Sequence, residues 1–275
     1  MTLLKHFIRS KTKHKKWVMV SAYDAPTAEL LERRGVDIVL VGDSLGMVVL
    51  GYDSTLPVTM DEMIHHAKAV RRGARKALVI GDLPLEGVRK GPKQALVSAR
   101  RFLDEAGCDG VKLEWGPRAR SIAEAFRRHR IPFMGHVGLT PQTAGALRVR
   151  GREAEKALEI ARQAGAFEAL DAFSVLLECV PVPLAGIITG TLKVPTIGIG
   201  AGPFCDGQVL VFHDLVGMLR RFNPRFVRHY ADVLGVMEKA VARYVSDVRS
   251  GRFPAAENCF RMDKAEQAKL EKALS

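Results

Sequence analysis

Short apolar runs rich in Val, Ile and Leu recur along the chain and alternate with longer amphipathic segments. This alternation is typical of repeated βα units, in which parallel strands form a sheet that helices cover. The runs that predict strands span residues 17–23, 36–43, 77–82, 110–114, 131–136, 174–178 and 194–200. An eighth run, 208–213, is compatible with a strand or a helix. The pattern predicts an α/β protein, and eight such units close a (β/α)8 TIM barrel.

The segments between the runs carry helical patterns and mark no boundary between domains. Helices are predicted at residues 26–34, 60–72, 92–106, 118–130, 153–172 and 183–192, with further helix at 226–248. Thr59 and Glu62 have the spacing of a capping box at the start of the second helix. No Pro-, Gly- and Ser-rich linker divides the 275 residues. We therefore predict a single barrel domain over residues 1–275, with a short basic lead-in and a helical C-terminal tail.

A polar residue stands at the end of six predicted strands, directly before a loop that contains Gly or Pro. These residues are Tyr23, Asp43, Asp82, Glu114, His136 and Glu178. The carboxyl ends of barrel strands meet on one face, where barrel enzymes hold their active sites. The pattern therefore predicts a phenol, four carboxylates and an imidazole around one cavity, and it favours an enzyme.

Three of these carboxylates, Asp43, Asp82 and Glu114, are hard oxygen donors from three different strands. Mg2+ prefers such donors and keeps water and substrate oxygens in its coordination shell. The alternative for each aspartate is a helix N-cap or a loop contact, because loops begin directly after both residues. Three converging acids in one basic chain favour the metal site.

Lys112 lies two residues before Glu114, so strand alternation places both side chains on the same side of the sheet. A lysine inside a barrel is costly without a partner. Lys112 is therefore expected to form a structural ion pair with Glu114, or else to bind a substrate carboxylate or a developing enolate oxygen.

Glu178 ends an apolar run, where burial would favour its protonated form and suit it to proton abstraction. Cys179 is expected to point the other way and to pack. His136 is compatible with substrate binding, metal ligation, proton transfer or a structural role. The glycines around Ser44 and in residues 198–202 predict tight turns, and neither loop matches a nucleotide-binding fingerprint.

The formal charge of +12 at neutral pH suits an anionic ligand or nucleic acid. Nucleic-acid binding is not favoured, because the basic residues are dispersed and no aromatic-interleaved basic run occurs. The four cysteines are far apart in sequence, which argues against a close-spaced zinc motif and a disulfide scaffold. We expect a cytoplasmic protein without membrane association. The alternative is a targeting role for the basic residues 11–16.

Longer motifs resemble the ketopantoate hydroxymethyltransferase, or 3-methyl-2-oxobutanoate hydroxymethyltransferase, family. They run in family order from about Ala22 to Met218, and NPRFVRHYADV resembles the family's tail. The matching stretches are SAYDAPTAEL, LVGDSLGMVVLGYDSTLPVTMDEMIHHAKAVRRG, GDLP, GVKLEWG, GHVGLTPQ, LLECVPVPLAGIIT, PTIGIGAG and DGQVLVFHDLVGM. The resemblance implies a barrel of the phosphoenolpyruvate/pyruvate type that usually assembles as a homodecamer.

The resemblance also implies a reaction and a role for each strand-end residue. A hydroxymethyl group would pass from the cosubstrate 5,10-methylenetetrahydrofolate to 3-methyl-2-oxobutanoate, giving 2-dehydropantoate for pantothenate biosynthesis. The residues implied for Mg2+, in part through water, are Asp43, Asp82 and Glu114. Those implied for the 2-oxo acid are Asp43, Ser44, Asp82 and Lys112, with His136 nearby, and Glu178 is the implied proton acceptor. Another metal-dependent 2-oxo acid aldolase or lyase on the same barrel is the alternative.

The chain departs from the family pattern at two places. Between Gln142 and Arg150 it has TAGALRVR, where the family has a longer loop with a Gly-Gly-aromatic element. Trp115 replaces a common glycine directly after Glu114. We expect both changes to lie beside the barrel mouth, the first affecting folate contacts and the second adding bulk near the site.

Overall fold

Eight parallel strands close into a barrel in the order of the sequence, as predicted. The computed structural model describes residues 3–8, 11, 16–143, 148–219 and 224–275. The strands are β1 (Trp17–Ser21), β2 (Ile38–Val41), β3 (Leu78–Asp82), β4 (Gly110–Glu114), β5 (Phe133–Gly138), β6 (Ser174–Glu178), β7 (Thr196–Ile199) and β8 (Gly207–Leu210). The barrel closes where β1 pairs with β8, with Trp17 opposite Gly207.

Most helices connect successive strands, and the others precede the first strand or follow the last one. The helices are α1 (Leu3–Ile8), α2 (Ala25–Arg33), α3 (Leu45–Val48), α4 (Met60–Gly73), α5 (Leu85–Val88), α6 (Pro92–Arg100), α7 (Ala119–Arg128), α8 (Ala154–Ala169), α9 (Val182–Thr191), α10 (Phe212–Leu215), α11 (Val233–Arg249) and α12 (Lys264–Leu274). A π-helical turn, Arg101–Glu105, continues α6. The predicted helices are present, but the tail helix begins at Val233 rather than at residue 226.

Side-chain caps define where two of these helices begin. The predicted capping box is confirmed, because Thr59 Oγ1 accepts a hydrogen bond from the Glu62 amide and Glu62 Oε2 accepts one from the Thr59 amide. At α11, Asp232 Oδ1 accepts a hydrogen bond from the Gly235 amide at 3.1 Å. This cap explains the late start of the tail helix.

Several strand predictions need correction. The first two strands end two residues earlier than predicted, at Ser21 and Val41, so Tyr23 and Asp43 lie just after their strands. The fifth run pairs two residues further than predicted, because Val137 and Gly138 lie opposite Leu177 and Glu178 of β6. His136 therefore lies inside β5 rather than at its end. The eighth run, for which a strand and a helix were both possible, contains one of each: its first part belongs to β8 and its end to the short helix α10.

An aromatic cluster fills the amino-terminal end of the barrel. Phe7 of α1 is fully buried, and its ring packs edge-on against Trp17 at a centroid distance of 4.8 Å. Phe7 also contacts the ring of Phe173 at 6.1 Å. Apolar side chains from the strands continue this core upward through Met19, Ile80 and Met134. The polar side chains that are predicted to form the site lie at the opposite, carboxyl-terminal end of the barrel.

Two strand glycines let aromatic rings lie directly on the outside of the barrel. A Cβ at Gly81 would come within 2.2 Å of Phe102, and one at Gly135 within 2.3 Å of Phe167. A side chain at either position would push the covering helix away from the sheet. Each glycine directly precedes a predicted site residue, Asp82 or His136, so this packing helps to fix the site.

The C-terminal tail is largely exposed to solvent. Apolar side chains at Val236, Val241, Tyr244 and Val248 of α11 are all exposed. Within the described ranges, no helix combines the length and the apolar character needed to cross a bilayer.

Candidate active site

One cavity opens at the carboxyl ends of the strands and encloses about 1030 Å3. It brings together all seven residues for which the sequence predicts a site role. They are Asp43, Ser44, Asp82, Lys112, Glu114, His136 and Glu178. Tyr23, the remaining strand-end residue, does not line the cavity, but its phenol oxygen lies 2.8 Å from Ser44 Oγ.

Lys112 forms a buried ion pair with Asp82, not with Glu114 as one of the predictions had it. Its Nζ lies 2.6 Å from Asp82 Oδ1, and the two side chains are 6% and 3% exposed. The register explains the partner, because Lys112 and Asp82 are directly opposite each other in β4 and β3. The negative charges nearby, Asp82 first, raise the pKa of Lys112 even though burial alone would lower it.

Asp43 belongs to the same group of charges. Its amide donates to Asp82 Oδ2 at 3.3 Å, and its own Oδ2 accepts a hydrogen bond from Gln142 Nε2 at 2.9 Å. Burial, reinforced by the charge of Asp82, raises the pKa of Asp43 to about 7 against the opposing effects of Lys112 and Gln142. A cation bound next to Asp43 would lower this pKa again and favour the deprotonated carboxylate.

Glu114 is buried beside this group, and burial raises its pKa well above the ordinary value. Its Oε1 accepts a hydrogen bond from the Gln142 amide at 2.9 Å. Its Oε2 lies 3.5 Å from Nδ1 of His136. Glu114 thus joins the acidic group to the imidazole.

His136 lies between two carboxylates and is almost fully buried. Its Nε2 is 3.2 Å from Glu178 Oε2 and its Nδ1 is 3.5 Å from Glu114 Oε2. Among the described residues neither nitrogen has a partner in good hydrogen-bond geometry. Burial, and then the charge of Lys112, lower the pKa of His136. A neutral imidazole follows, which has one nitrogen to donate and one to accept a proton.

Glu178 ends β6 with a side chain that is 20% exposed, so it has access to the cavity. Cys179 also lines the cavity, and the prediction that it points the other way is wrong. The reason is its backbone, which has φ of 48° and so breaks the alternation of an extended strand. The Cys179 amide still donates to Ile199 O at 2.8 Å, which holds this turn against β7.

Ser44 occupies the predicted tight turn after β2, as the first residue before α3. Its hydroxyl makes no helix cap and contacts Tyr23 instead. Burial raises the pKa of Tyr23 to about 12, which keeps the phenol protonated and able to donate. Tyr23 therefore acts behind Ser44 rather than at the cavity surface.

Comparison with known proteins identifies the chain. A family model described as Ketopantoate hydroxymethyltransferase matches residues 2–256. The chain belongs to this family. The 3-methyl-2-oxobutanoate hydroxymethyltransferase of Oleidesulfovibrio alaskensis is 49% identical over 271 residues, which cover 98% of this chain and 94% of the relative. The enzyme of the same name from Chloroflexus aggregans is 51% identical over 252 residues, which cover 91% and 90%.

Solved structures of distant proteins share the barrel. A phosphonopyruvate hydrolase aligns with a TM-score of 0.62 at 13% identity, over 99% of both chains. A phosphoenolpyruvate phosphomutase from Streptomyces platensis aligns with the same score at 15% identity, over 98% of this chain and 96% of its own. These likenesses concern the fold alone, and they agree with the closed eight-stranded barrel.

The two departures from the family pattern have different outcomes. Trp115 packs edge-on against Phe167 at 4.9 Å, and it is absent from the residues that line the cavity. The expectation that Trp115 adds bulk to the site is therefore wrong, because its ring turns outward onto α8. Within the shortened loop, residues 144–147 lie outside the described residues, while Arg148 and Val149 line the cavity.

The donor set fits a hard divalent cation in its chemistry. Three buried carboxylates, Asp43, Asp82 and Glu114, face a single ammonium group, that of Lys112. In the part of the chain that the structure describes, no three His, Cys, Asp or Glu side chains are grouped so that they could hold a metal ion by themselves. Such a cation would take its other ligands from water and substrate oxygens, as Mg2+ commonly does.

Gln142 is the site residue that the sequence analysis missed. It is 7% exposed and contacts two of the predicted metal carboxylates. The stretch GHVGLTPQ contains it, but nothing in the sequence indicates that this loop residue turns inward.

Proposed function

We propose that the protein transfers a hydroxymethyl group from 5,10-methylenetetrahydrofolate to 3-methyl-2-oxobutanoate. Water completes the reaction, and the products are 2-dehydropantoate and tetrahydrofolate. The observation that carries the proposal is the single cavity in which the acids, Lys112, His136 and Glu178 meet, in a member of this family. The other barrel reaction, a 2-oxo acid aldolase or lyase, is not favoured, because relatives at 44–51% identity carry the transferase name.

We propose Mg2+ as the metal, with Asp43, Asp82 and Glu114 as its protein-side oxygen donors, in part through water. The excess of buried carboxylates over ammonium groups supports this proposal. When bound, the cation supplies Lewis acidity that polarises the 2-oxo group and acidifies the adjacent C–H bond. Ser44 and Lys112, with Asp43 and Asp82, would bind the 2-oxo acid, with His136 beside it.

Glu178 would remove the proton from the branched carbon of the oxo acid. Its carboxylate reaches the cavity and lies 3.2 Å from His136 Nε2, which is close enough for the neutral imidazole to share the proton. Lys112 would stabilise the negative charge that develops on the 2-oxo oxygen. The carbon nucleophile then attacks the one-carbon unit of the folate.

The size of the cavity supports a second, larger substrate. Its volume of about 1030 Å3 slightly exceeds the roughly 300–1,000 Å3 that is typical of small-molecule sites. Apolar side chains such as Met47, Leu139 and Phe226 line the cavity, and Arg148 and Arg225 add positive charge. These groups suit the flat ring system and the acidic tail of a folate.

We also propose a homo-oligomer, a decamer by family resemblance, that works in the cytoplasm without nucleic acid. The exposed apolar side chains of α11 support association, because isolated soluble monomers seldom leave such a stripe uncovered. Light scattering at several protein concentrations tests this part of the proposal.

The activity is tested with the purified chain and 3-methyl-2-oxobutanoate, with and without 5,10-methylenetetrahydrofolate and Mg2+. We expect the purified chain to form 2-dehydropantoate only when the oxo acid, the folate and Mg2+ are all present. Cleavage of the oxo acid without folate would instead support a lyase, and no metal-dependent reaction of the oxo acid would contradict both.

A further inference from the structure

Gln142 connects three strand ends through contacts with two residues that line the cavity, Asp43 and Glu114, and with Leu83. Its side-chain Nε2 donates to Asp43 Oδ2 and to the carbonyl oxygen of Leu83, both at 2.9 Å. Its backbone amide donates to Glu114 Oε1, also at 2.9 Å. One residue thus holds two carboxylates that come from different strands.

The chemistry of these contacts fixes the orientation of the Gln142 amide. Both partners of Nε2 are acceptors, a carboxylate and a carbonyl, so the NH2 group must face them and the amide oxygen must face away. All three donors of this network are neutral. They hold Asp43 and Glu114 without supplying a positive charge that would compete with a cation. Each of these carboxyl groups has a second oxygen, Oδ1 of Asp43 and Oε2 of Glu114, that does not contact Gln142.

The loop itself is shaped to turn Gln142 inward. Thr140 and Thr143 close a turn through their hydroxyls at 2.9 Å and through the Thr143 amide, which donates to Thr140 O at 3.0 Å. Gly138, with φ of 99°, starts this path, and a Cβ there would meet Glu178 O at 2.3 Å. The side chain of Gln142 is buried while its neighbour Thr143 is exposed.

We propose that Gln142 is a positioning residue that sets the separation and direction of Asp43 and Glu114 for cation binding. The inference rests on the metal site of the proposed function. It predicts that losing the side-chain amide weakens cation binding even before any substrate is present, by about 10- to 100-fold as for other residues that orient metal ligands.

The test uses Mn2+ as the probe, titrated into the full-length protein without substrates and followed by electron paramagnetic resonance of the free ion. Gln142→Met keeps the length and volume of the side chain but donates no hydrogen bond. Gln267→Met is the matched control, because it makes the same replacement at an exposed glutamine of α12 that does not line the cavity. We expect an about 10- to 100-fold weaker Mn2+ affinity for Gln142→Met and wild-type affinity for Gln267→Met.

Equal Mn2+ affinity in Gln142→Met and the wild type would overturn the role of Gln142, even if the melting temperature fell. If Gln142→Met does not fold, Gln142→Asn takes its place. Its shorter amide cannot reach both acceptors, so weaker Mn2+ binding is again expected, and wild-type binding would again overturn the proposal. Failure of the wild type to bind Mn2+ would instead remove the metal from the proposed function, and the inference with it.

Discussion

Nε2 of His136 lies 3.2 Å from Oε2 of Glu178, and the two residues come from neighbouring strands of the barrel. Burial, and then the charge of Lys112, lower the pKa of the imidazole, so a neutral His136 lies beside the carboxyl of Glu178. The pair is partly open to the cavity through Glu178. This arrangement suits a carboxylate that must accept a proton and later release it.

The first prediction concerns proton abstraction by Glu178. Glu178→Gln should retain Mg2+ and oxo-acid binding, because the amide is nearly isosteric and the acidic group is untouched. It should slow exchange of the branched-carbon hydrogen into deuterated water by about 100- to 10,000-fold. Proton NMR without folate measures the exchange. Exchange at the wild-type rate would move the role of base to His136 or to water.

The second prediction separates binding from stability at Lys112. Lys112→Ala should reduce kcat/KM for the oxo acid by about 10- to 100-fold, since a charge-assisted hydrogen bond is lost. Without metal the variant should also lose about 3 kcal/mol or more of unfolding free energy, because Asp82 remains buried without its partner. Saturating Mg2+ should restore much of that stability. Unchanged kinetics with a lower melting temperature would support a purely structural ion pair.

The third prediction tests the acidic group. Asp43→Ala, Asp82→Ala and Glu114→Ala should each weaken Mg2+ binding by at least about tenfold and reduce turnover in parallel. Isothermal titration gives the affinity, and steady-state kinetics give the turnover. Glu155→Ala, an exposed acid on α8, is the control and should change neither. If one of the three variants binds Mg2+ with wild-type affinity, the replaced residue is not a metal ligand.

The fourth prediction concerns the pH dependence of stability. Asp43 has a folded pKa of about 7, well above its ordinary value, so the folded protein binds its proton more tightly than the unfolded chain. Its contribution is therefore fully present at low pH and is lost as the pH rises from about 4 to 7, by up to about 4 kcal/mol. Melting temperatures measured with a chelator should show this loss, and Asp43→Asn should reduce it.

The comparison of wild type with Asp43→Asn isolates this residue from its neighbours. The pKa of Glu114 is raised too and acts in the same direction, whereas that of His136 is lowered and acts in the opposite one. Glu114 and His136 are present in both the wild type and Asp43→Asn, so the difference between the two pH profiles reports on Asp43. A pH profile identical in wild type and variant would contradict the prediction.

The barrel was predictable from the sequence because parallel strands buried on both faces need nearly continuous Val, Ile and Leu. Strand ends were less predictable. The pairing of Gly138 with Glu178 depends on the register of the neighbouring strand, which local composition does not encode. The meeting of the strand-end acids was predictable for the same reason as the barrel, since closure leaves them one common face.

The contacts within the site were harder to predict. The pairing of Lys112 with Asp82 follows from residues opposite each other in register, whereas alternation alone suggested Glu114. Cys179 turned into the cavity because of a left-handed backbone, and Gln142 because of a turn closed by two threonines. Each depends on backbone geometry that residue type alone does not determine.

The aromatic cluster around Phe7 has a kinetic consequence. Because it fills the amino-terminal end of the barrel, we expect both substrates to enter through the carboxyl-terminal mouth and the smaller one to bind deeper. We therefore expect a compulsory order, with the oxo acid first on and its product last off. Product-inhibition patterns measure this order: 2-dehydropantoate should compete with the oxo acid, and tetrahydrofolate should not.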